Sequence, residues 1–150
     1  MYFNESERSL KTMKMTETVF LEVFEKFKNT VYAVVFNYVR NVEDAADLEQ
    51  EVFLKLLSHD SEFESEEHMK AWLIRVSINL CKNHMRSRSY LSDGPLPEDL
   101  PAATQEEHGE LLQLVLRLPE KYRIPLHLFY YEDYSIRQIA EVTGLPEATV

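Results

Sequence analysis

The sequence predicts an all-α protein: two small helical domains joined by a proline-containing linker, the second carrying a helix-turn-helix. Three observations predict it. Only three glycines occur in 150 residues, too few for a turn-rich β fold or a glycine-rich phosphate loop. Long segments repeat their apolar residues at helical spacing rather than in alternation. One short stretch, SYLSDGPLPEDLP from Ser89 to Pro101, gathers three prolines and a glycine between two such sets of segments and reads as a linker. With 45% hydrophobic and 28% charged residues, the chain is globular rather than disordered.

Residues 1–15 are polar and unpatterned and read as a flexible lead-in. A first helix is expected from about Thr16 to Tyr38, where Phe20, Val23, Phe24, Phe27, Val31, Val34, Val35 and Tyr38 recur on one broad face. Asn41 then offers an N-cap, with Asp44 three residues on in an approximate capping box. The second helix, EDAADLEQEVFLKLLS, buries an arc of Ala45, Leu48, Val52, Phe53, Leu56 and Leu57. Its other side shows Asp44, Asp47, Gln50, Glu51 and Leu54. An acidic face with a leucine in it suits docking to a basic partner; the plain alternative is a solvated face. Glu49 falls inside the apolar arc without an account.

After the polar connection His59 to Glu64, Ser65 is the N-cap of a third helix, and Glu66 and Glu67 suit its positive end. This helix, MKAWLIRVSINLCKNHMRSR over 69–88, differs in charge from the rest of the chain. The protein has 16 Lys+Arg against 26 Asp+Glu, a net of −10. Between His68 and Ser92 there is no acid, and Lys70, Arg75, Lys82, Arg86 and Arg88 are all cationic. Met69, Trp72, Leu73, Val76 and Leu80 make one apolar stripe; Ile74, Ile78, Cys81 and Met85 make a second, roughly opposite. Between them Arg75, Asn79, Lys82 and Arg86 form a narrow row at steps of four, three and four. A helix gripped on two sides with one basic row left over suggests an anion lying along that row. A solvated face, and cations placed to suit the helix dipole, are the plain alternatives.

The domain boundary is placed in the linker, 89–103. Thr104 with Glu107 makes another capping box, followed by a helix to about Arg117. Pro119 suits the first position of the next helix, which carries Tyr122, Leu126, Phe129 and Tyr130; Pro125 inside it is expected to kink or break it. Ser135 caps a further helix, with Gln138 three residues on. In SIRQIAEVTGLPEATV, counted from Ile136, Ala140 is fifth, Gly144 ninth and Val150 fifteenth. That is helix-turn-helix spacing: the alanine lets two helices approach, the glycine makes the turn, and the later apolar residue packs the second helix down. Thr143 stands where an aliphatic residue is more usual. Val150 falls only a few residues into the second helix, so that helix is expected to be incomplete here.

Taken together, the segments resemble bacterial sigma factors of the small extracytoplasmic-function group. DAADLEQEVFLKL at Asp44–Leu56 is similar to the family's polymerase-binding helix, and KAWLIRVSINLCKNHMRSR at Lys70–Arg88 to its promoter-melting helix. LPEKYRIPLHLFYYEDYSIRQIAEVTGLPEATV at Leu118–Val150 is similar to its C-terminal promoter-binding domain. The resemblance implies a first domain over 16–88 (region 2-like) and a second over 104–150 (region 4-like, incomplete). It implies that Asp44, Asp47, Gln50, Glu51 and Leu54 meet the clamp coiled coil of the polymerase β′ subunit. It implies that Arg75, Asn79, Lys82, Arg86 and Arg88 lie along the unwound minus-ten strand, with the loop His59–Glu67 helping to capture a flipped base. In the second domain it leaves Arg137, Glu147 and Thr149 as contacts to the duplex minus-thirty-five element. Partners implied are core RNA polymerase, through the β′ clamp and the β flap, promoter DNA, and an anti-sigma protein. The function implied is transcription initiation at specific promoters, with no cofactor. The acidic balance predicts little affinity for DNA in the absence of polymerase.

Other classes fit less well. A helix-turn-helix regulator acting without polymerase leaves the acidic helix and the basic row unexplained. A helical-bundle metal oxidase needs Glu-x-x-His pairs. The residues three before the histidines are Leu56, Ser65, Cys81, Gln105 and Ile124, none of them a carboxylate. Cys81 and His84 have no second pair at zinc-ligand spacing, and no nucleophile–base arrangement stands out, so an enzyme is not expected. A helical adaptor without DNA would make both apolar stripes of the 69–88 helix simple core. The single cysteine, Cys81, allows no internal disulfide and suits a reducing compartment. With no long apolar span or secretory signal, the expected location is cytoplasmic.

Overall fold

Phe27, Val31, Val34, Val35 and Tyr38 follow one another at steps of four, three, one and three, which keep them on one helical face, and this spacing commits the first segment to a buried helix. A computed structural model describes residues 17–59, 62–88 and 114–150. Its helices are α1 (Glu17–Val39), α2 (Val42–Leu57), α3 (Glu66–Arg88), α4 (Glu120–Tyr131) and α5 (Ile136–Thr143). Valine is a modest helix former, worth at most about 0.7 kcal/mol less than alanine at each position. Val31, Val34 and Val35 are nonetheless fully buried, and burying such a side chain is worth about 1.5–3 kcal/mol. Burial therefore outweighs propensity along α1.

The first unit is α1, α2 and α3, each packed on the other two. Asn41 caps α2 as expected: its side chain accepts from the Asp44 amide at 2.9 Å. Between α1 and α2, Phe53 sits edge-on to Phe24, with ring centroids 4.9 Å apart. Glu49 is half-buried and faces α1, where Lys28 and Tyr32 stand near it; burial raises its carboxyl above the usual range and Lys28 partly offsets this. Ser65 caps α3, accepting from the His68 amide at 3.1 Å. Both apolar stripes of α3 are covered. Met69, Leu73, Ile74, Ile78 and Cys81 are buried, and Trp72, Val76, Leu80 and Met85 are partly so. The sector behind them is covered as well. Ser77 there is fully buried and donates its hydroxyl to the Leu73 carbonyl at 2.6 Å, which satisfies it within the helix.

The second unit begins, among the described residues, with a helical turn at 114–116 whose Leu116 is fully buried. Pro119 is the N-cap of α4 rather than its first residue. Of the two outcomes expected at Pro125, a kink or a break, the break does not occur: the helix continues to Tyr131. His127 and Leu128, just beyond the proline, are buried and anchor the final turns. The amide lost at Pro125 would have paired with the carbonyl of exposed Lys121, which water can reach. Asp133 takes a left-handed conformation, φ 55°, in the connection to α5, a region that Asp tolerates better than most residues. The expected lead-in (1–15), the linker (89–103) and the Thr104/Glu107 box lie outside the described residues. Among the described residues no helix is long and apolar enough to cross a membrane, and no three His, Cys, Asp or Glu side chains group as metal ligands.

The two units pack on each other, α4 against α1 and α5 against α3. Cys81 lies fully buried in the same continuous core. Burial pushes its thiol up to about 12, so at pH 8 the reactive thiolate fraction is on the order of one in ten thousand. Iodoacetamide at pH 8 is therefore expected to leave Cys81 unmodified in the folded protein and to label it rapidly in denaturant. Mass spectrometry of the intact chain reads both outcomes.

Candidate nucleic-acid interface

Because α3 is covered on three sides, only one arc of it remains at the surface. That arc holds Arg75, Asn79, Lys82 and Arg86, all exposed, in the row the spacing predicted. Arg88 ends α3; its side chain lies outside the described residues. The row is not simply solvated. Arg75 donates through Nη2 to the Glu141 carbonyl at 3.2 Å, and Lys82 through Nζ to the Thr143 carbonyl at 3.2 Å. Both acceptors lie in the last turn of α5, whose carbonyls have no helical partner and carry partial negative charge. That turn has no basic residue of its own. At the head of the same helix Lys70 pairs with Glu132 at 3.0 Å and sits 5.4 Å from the centre of the Tyr134 ring.

A reciprocal arrangement joins α4 to α1. The last turn of α1 also lacks a basic residue. Arg123 of α4 is buried, and its guanidinium donates to the carbonyls of Asn37 and of Tyr38, the latter at 3.0 Å. A third bond, 2.7 Å, runs to Leu118 in its own unit. Burial, and then the neighbouring Arg40 cation, bring this guanidinium down to about 10, leaving it charged at neutral pH. Tyr38 is hydrogen-bonded to Glu120, and burial first, then that bond, push its phenol well up. Arg40 itself donates to the Leu116 carbonyl at 3.3 Å. The bonds of Arg75, Lys82, Arg123 and Arg40 across the units are not visible in the sequence, because each joins a cation to a main-chain carbonyl.

On α2, Asp47, Gln50, Glu51 and Leu54 form an exposed face, with Leu54 60% accessible. Asp44 stands apart from them: it is half-buried, 3.3 Å from His84 of α3. The connection into α3 brings rings together that the sequence reading did not single out. His59 stacks on Phe63 with centroids 4.6 Å apart, and Trp72 meets both, at 4.7 and 5.5 Å. The signal available was four aromatic or imidazole side chains, at 59, 63, 68 and 72, spaced near helical repeats.

The first helix and the turn of the expected helix-turn-helix form as read; after the turn, 147–149 make only a turn and no second helix. Ser135 and Gln138 make a reciprocal capping box, and Gly144 takes φ 77° with its amide on the Ala140 carbonyl at 2.9 Å. Here glycine is needed for conformation, since an added Cβ meets nothing within 4 Å. After the turn, Thr149 and Val150 donate to the Pro146 carbonyl at 2.9 and 3.2 Å. Arg137, Glu147 and Thr149 are exposed, with Arg137 3.7 Å from Glu141 one turn on. Thr143, the departure from pattern, is buried; its hydroxyl donates to the Ile139 carbonyl at 2.6 Å and accepts from the Leu145 amide at 3.3 Å.

Two family models match the chain: Sigma-70 region 2 over residues 23–90, and Sigma-70 region 4 over 108–150. The chain belongs to the sigma-70 family. It is a transcription-initiation factor, and the family works with core RNA polymerase on promoter DNA. Among relatives, it is 26% identical to the ECF RNA polymerase sigma factor SigW of Bacillus subtilis, over 96% of this chain and 87% of that one. It is also 26% identical to the RNA polymerase sigma factor SigV of the same organism (94% and 87%) and to the sigma-H factor of Pseudomonas aeruginosa (83% and 75%). The rival reading, a helix-turn-helix regulator acting without polymerase, accounts for the second match and not the first. Region 2 of this sigma factor contains α1 to α3, and region 4 contains α4 and α5. In region 4, Thr143→Val restores the commoner aliphatic residue but strips the Leu145 amide of its acceptor. It is expected to destabilise the protein by about 1 kcal/mol, read as a lower denaturant midpoint with an unchanged slope.

Proposed function

We propose that α2 docks the clamp coiled coil of the polymerase β′ subunit through Asp47, Gln50, Glu51 and Leu54, with Asp44 at the edge of that face. Arg75, Asn79, Lys82, Arg86 and Arg88 of α3 then receive the unwound minus-ten strand. Region 4 reads the duplex minus-thirty-five element with Arg137, Glu147 and Thr149, and meets the β flap. A groove of about 590 Å³ between Tyr122, Phe129, Ile136 and Val150 supports an apolar contact on region 4. An anti-sigma protein is the expected regulator, and the compartment is the cytoplasm.

The observation that carries this reading is the division of charge between two neighbouring helices. The anionic face of α2 keeps an exposed leucine, and among the described residues the exposed cations of α3, Arg75, Lys82 and Arg86, stand in one row. Cations along a track hold a single strand by its phosphates, and rings at its end stack or pocket bases. His59 and Trp72, both partly exposed and packed on buried Phe63, supply such rings at the N-terminal end of α3. An acidic chain carries this track only locally, so polymerase must supply the rest of the DNA affinity.

Two variants separate the roles. Reversing the charge at Asp47 and Glu51 is expected to abolish co-elution with core polymerase. Replacing Arg75 and Lys82 by alanine is expected to spare co-elution while eliminating permanganate reactivity of minus-ten thymines. Normal run-off transcription from both would refute the assignment of both faces.

A further inference from the structure

His68 makes a bond that the charge pattern of α3 does not explain. It is exposed in the first turn, where its Nδ1 accepts from the Glu64 amide at 3.0 Å and its own amide donates to the Ser65 hydroxyl at 3.1 Å. The two bonds have the form of a capping box, in which a glutamate or glutamine three residues after the N-cap reaches back to an amide. Here an imidazole reaches back instead. An amide donates only to a nitrogen with a free lone pair, so Nδ1 carries no proton and the ring is the neutral Nε2–H tautomer.

Glu64 follows Phe63, which is buried. The Phe63 ring is edge-on to His68 with centroids 5.5 Å apart, stacks on His59 and meets Trp72. His59 and Trp72 also meet each other. Fixing the Glu64 amide fixes the backbone beside Phe63, and Phe63 is the floor on which the two partly exposed rings rest. We infer that His68 is a positioning residue: its neutral imidazole holds Phe63, and through it His59 and Trp72, in the arrangement that receives a base at the head of the strand track. This rests on the proposed role of those rings and adds what holds them. A glutamate at position 68 would make the same bond but set an anion where phosphates approach the track. The neutral imidazole adds no charge there.

The charged and titratable groups around His68 are Glu64 and Glu67 beside it, His59 across Phe63, and Arg75 two turns along α3. Tyr134 and Glu141 face it from the second unit, across a cleft of about 330 Å³. His59 is the other imidazole in this group, so a response to pH is assigned by substitution. The test uses the full chain, in which Trp72 is the one tryptophan. Acrylamide quenching of Trp72 reports whether the rings are held. At about pH 8, His68→Ala is expected to raise the quenching constant at least about twofold with unchanged helix content, since losing one neutral hydrogen bond shifts a local equilibrium about fivefold. His68→Gln supplies an uncharged acceptor and should match the unsubstituted protein. Lowering the pH to about 6, across the range in which histidines gain a proton, should raise quenching in the unsubstituted protein more than in His68→Gln, where His59 alone remains to respond. In the holoenzyme, run-off transcription is measured on promoters with an abasic site at each minus-ten position of the non-template strand in turn. The unsubstituted chain is expected to lose about tenfold or more at the captured position, as loss of one stacked base implies. His68→Ala should shrink that ratio to within about twofold, and His68→Gln should restore it.

Unchanged quenching in His68→Ala would overturn the hold on the rings and leave base capture by them standing. An unchanged abasic ratio in that variant would overturn the part of His68 in base capture. Equal pH responses in the unsubstituted protein and in His68→Gln would overturn the imidazole lone pair as the means of the hold. An unsubstituted holoenzyme insensitive to every abasic site would instead overturn the base-receiving role on which the inference rests, whatever Trp72 reports.

Discussion

The structure depends on one constraint: α3 is covered on three sides. Met69, Leu73 and Ile78 leave no freedom to rotate the helix, because turning it would expose fully or almost fully buried side chains. Each costs about 1.5–3 kcal/mol to uncover. A surface ion pair is worth about 0–1 kcal/mol, so no rearrangement of the cations can outweigh the core. The basic row is thus aimed by apolar packing. Its direction is fixed before any partner arrives, which is what a track for a flexible strand requires.

Between the two units the forces are of a different kind. The principal polar joints run from a cation on one unit to helix-end carbonyls on the other: Arg123 to the end of α1, and Arg75 and Lys82 to the end of α5. Helix ends lacking their own basic residue favour such donors. The joints differ in desolvation. Arg123 is buried and hydrogen-bonded to three carbonyls, and a buried charge left without its acceptors is costly. Arg75 and Lys82 remain wet, so water replaces their acceptors at little loss. An interface with one dry joint and several wet ones can be peeled from its wet side.

Most of the fold was legible because it is written in periodicity. The α1 face, the Asn41 and Ser65 caps, the two stripes of α3 and the Gly144 turn all follow from local spacing and from the backbone demands of single residues. Pro125 does not end its helix for a physical reason: a proline penalty is local, whereas buried His127 and Leu128 are held by tertiary packing. Thr143 looked like a defect because pattern reading sees an apolar slot and not the two hydrogen bonds that fill it. The site residues were legible as faces. The bonds from cations to helix-end carbonyls between the units were not, because main-chain carbonyls have no letter in the sequence.

The acidity of the chain gains meaning from this geometry. A free protein of net charge −10 repels DNA at long range, and its few clustered cations act only within about a Debye length, near 8 Å at physiological salt. With Arg75 and Lys82 turned onto α5, even that short-range attraction is reduced. A partner that held DNA beside α3 would remove the long-range penalty. The same acidic residues that repel DNA form the exposed anionic face of α2. One charge distribution can therefore disfavour the free protein on DNA and favour the assembled one.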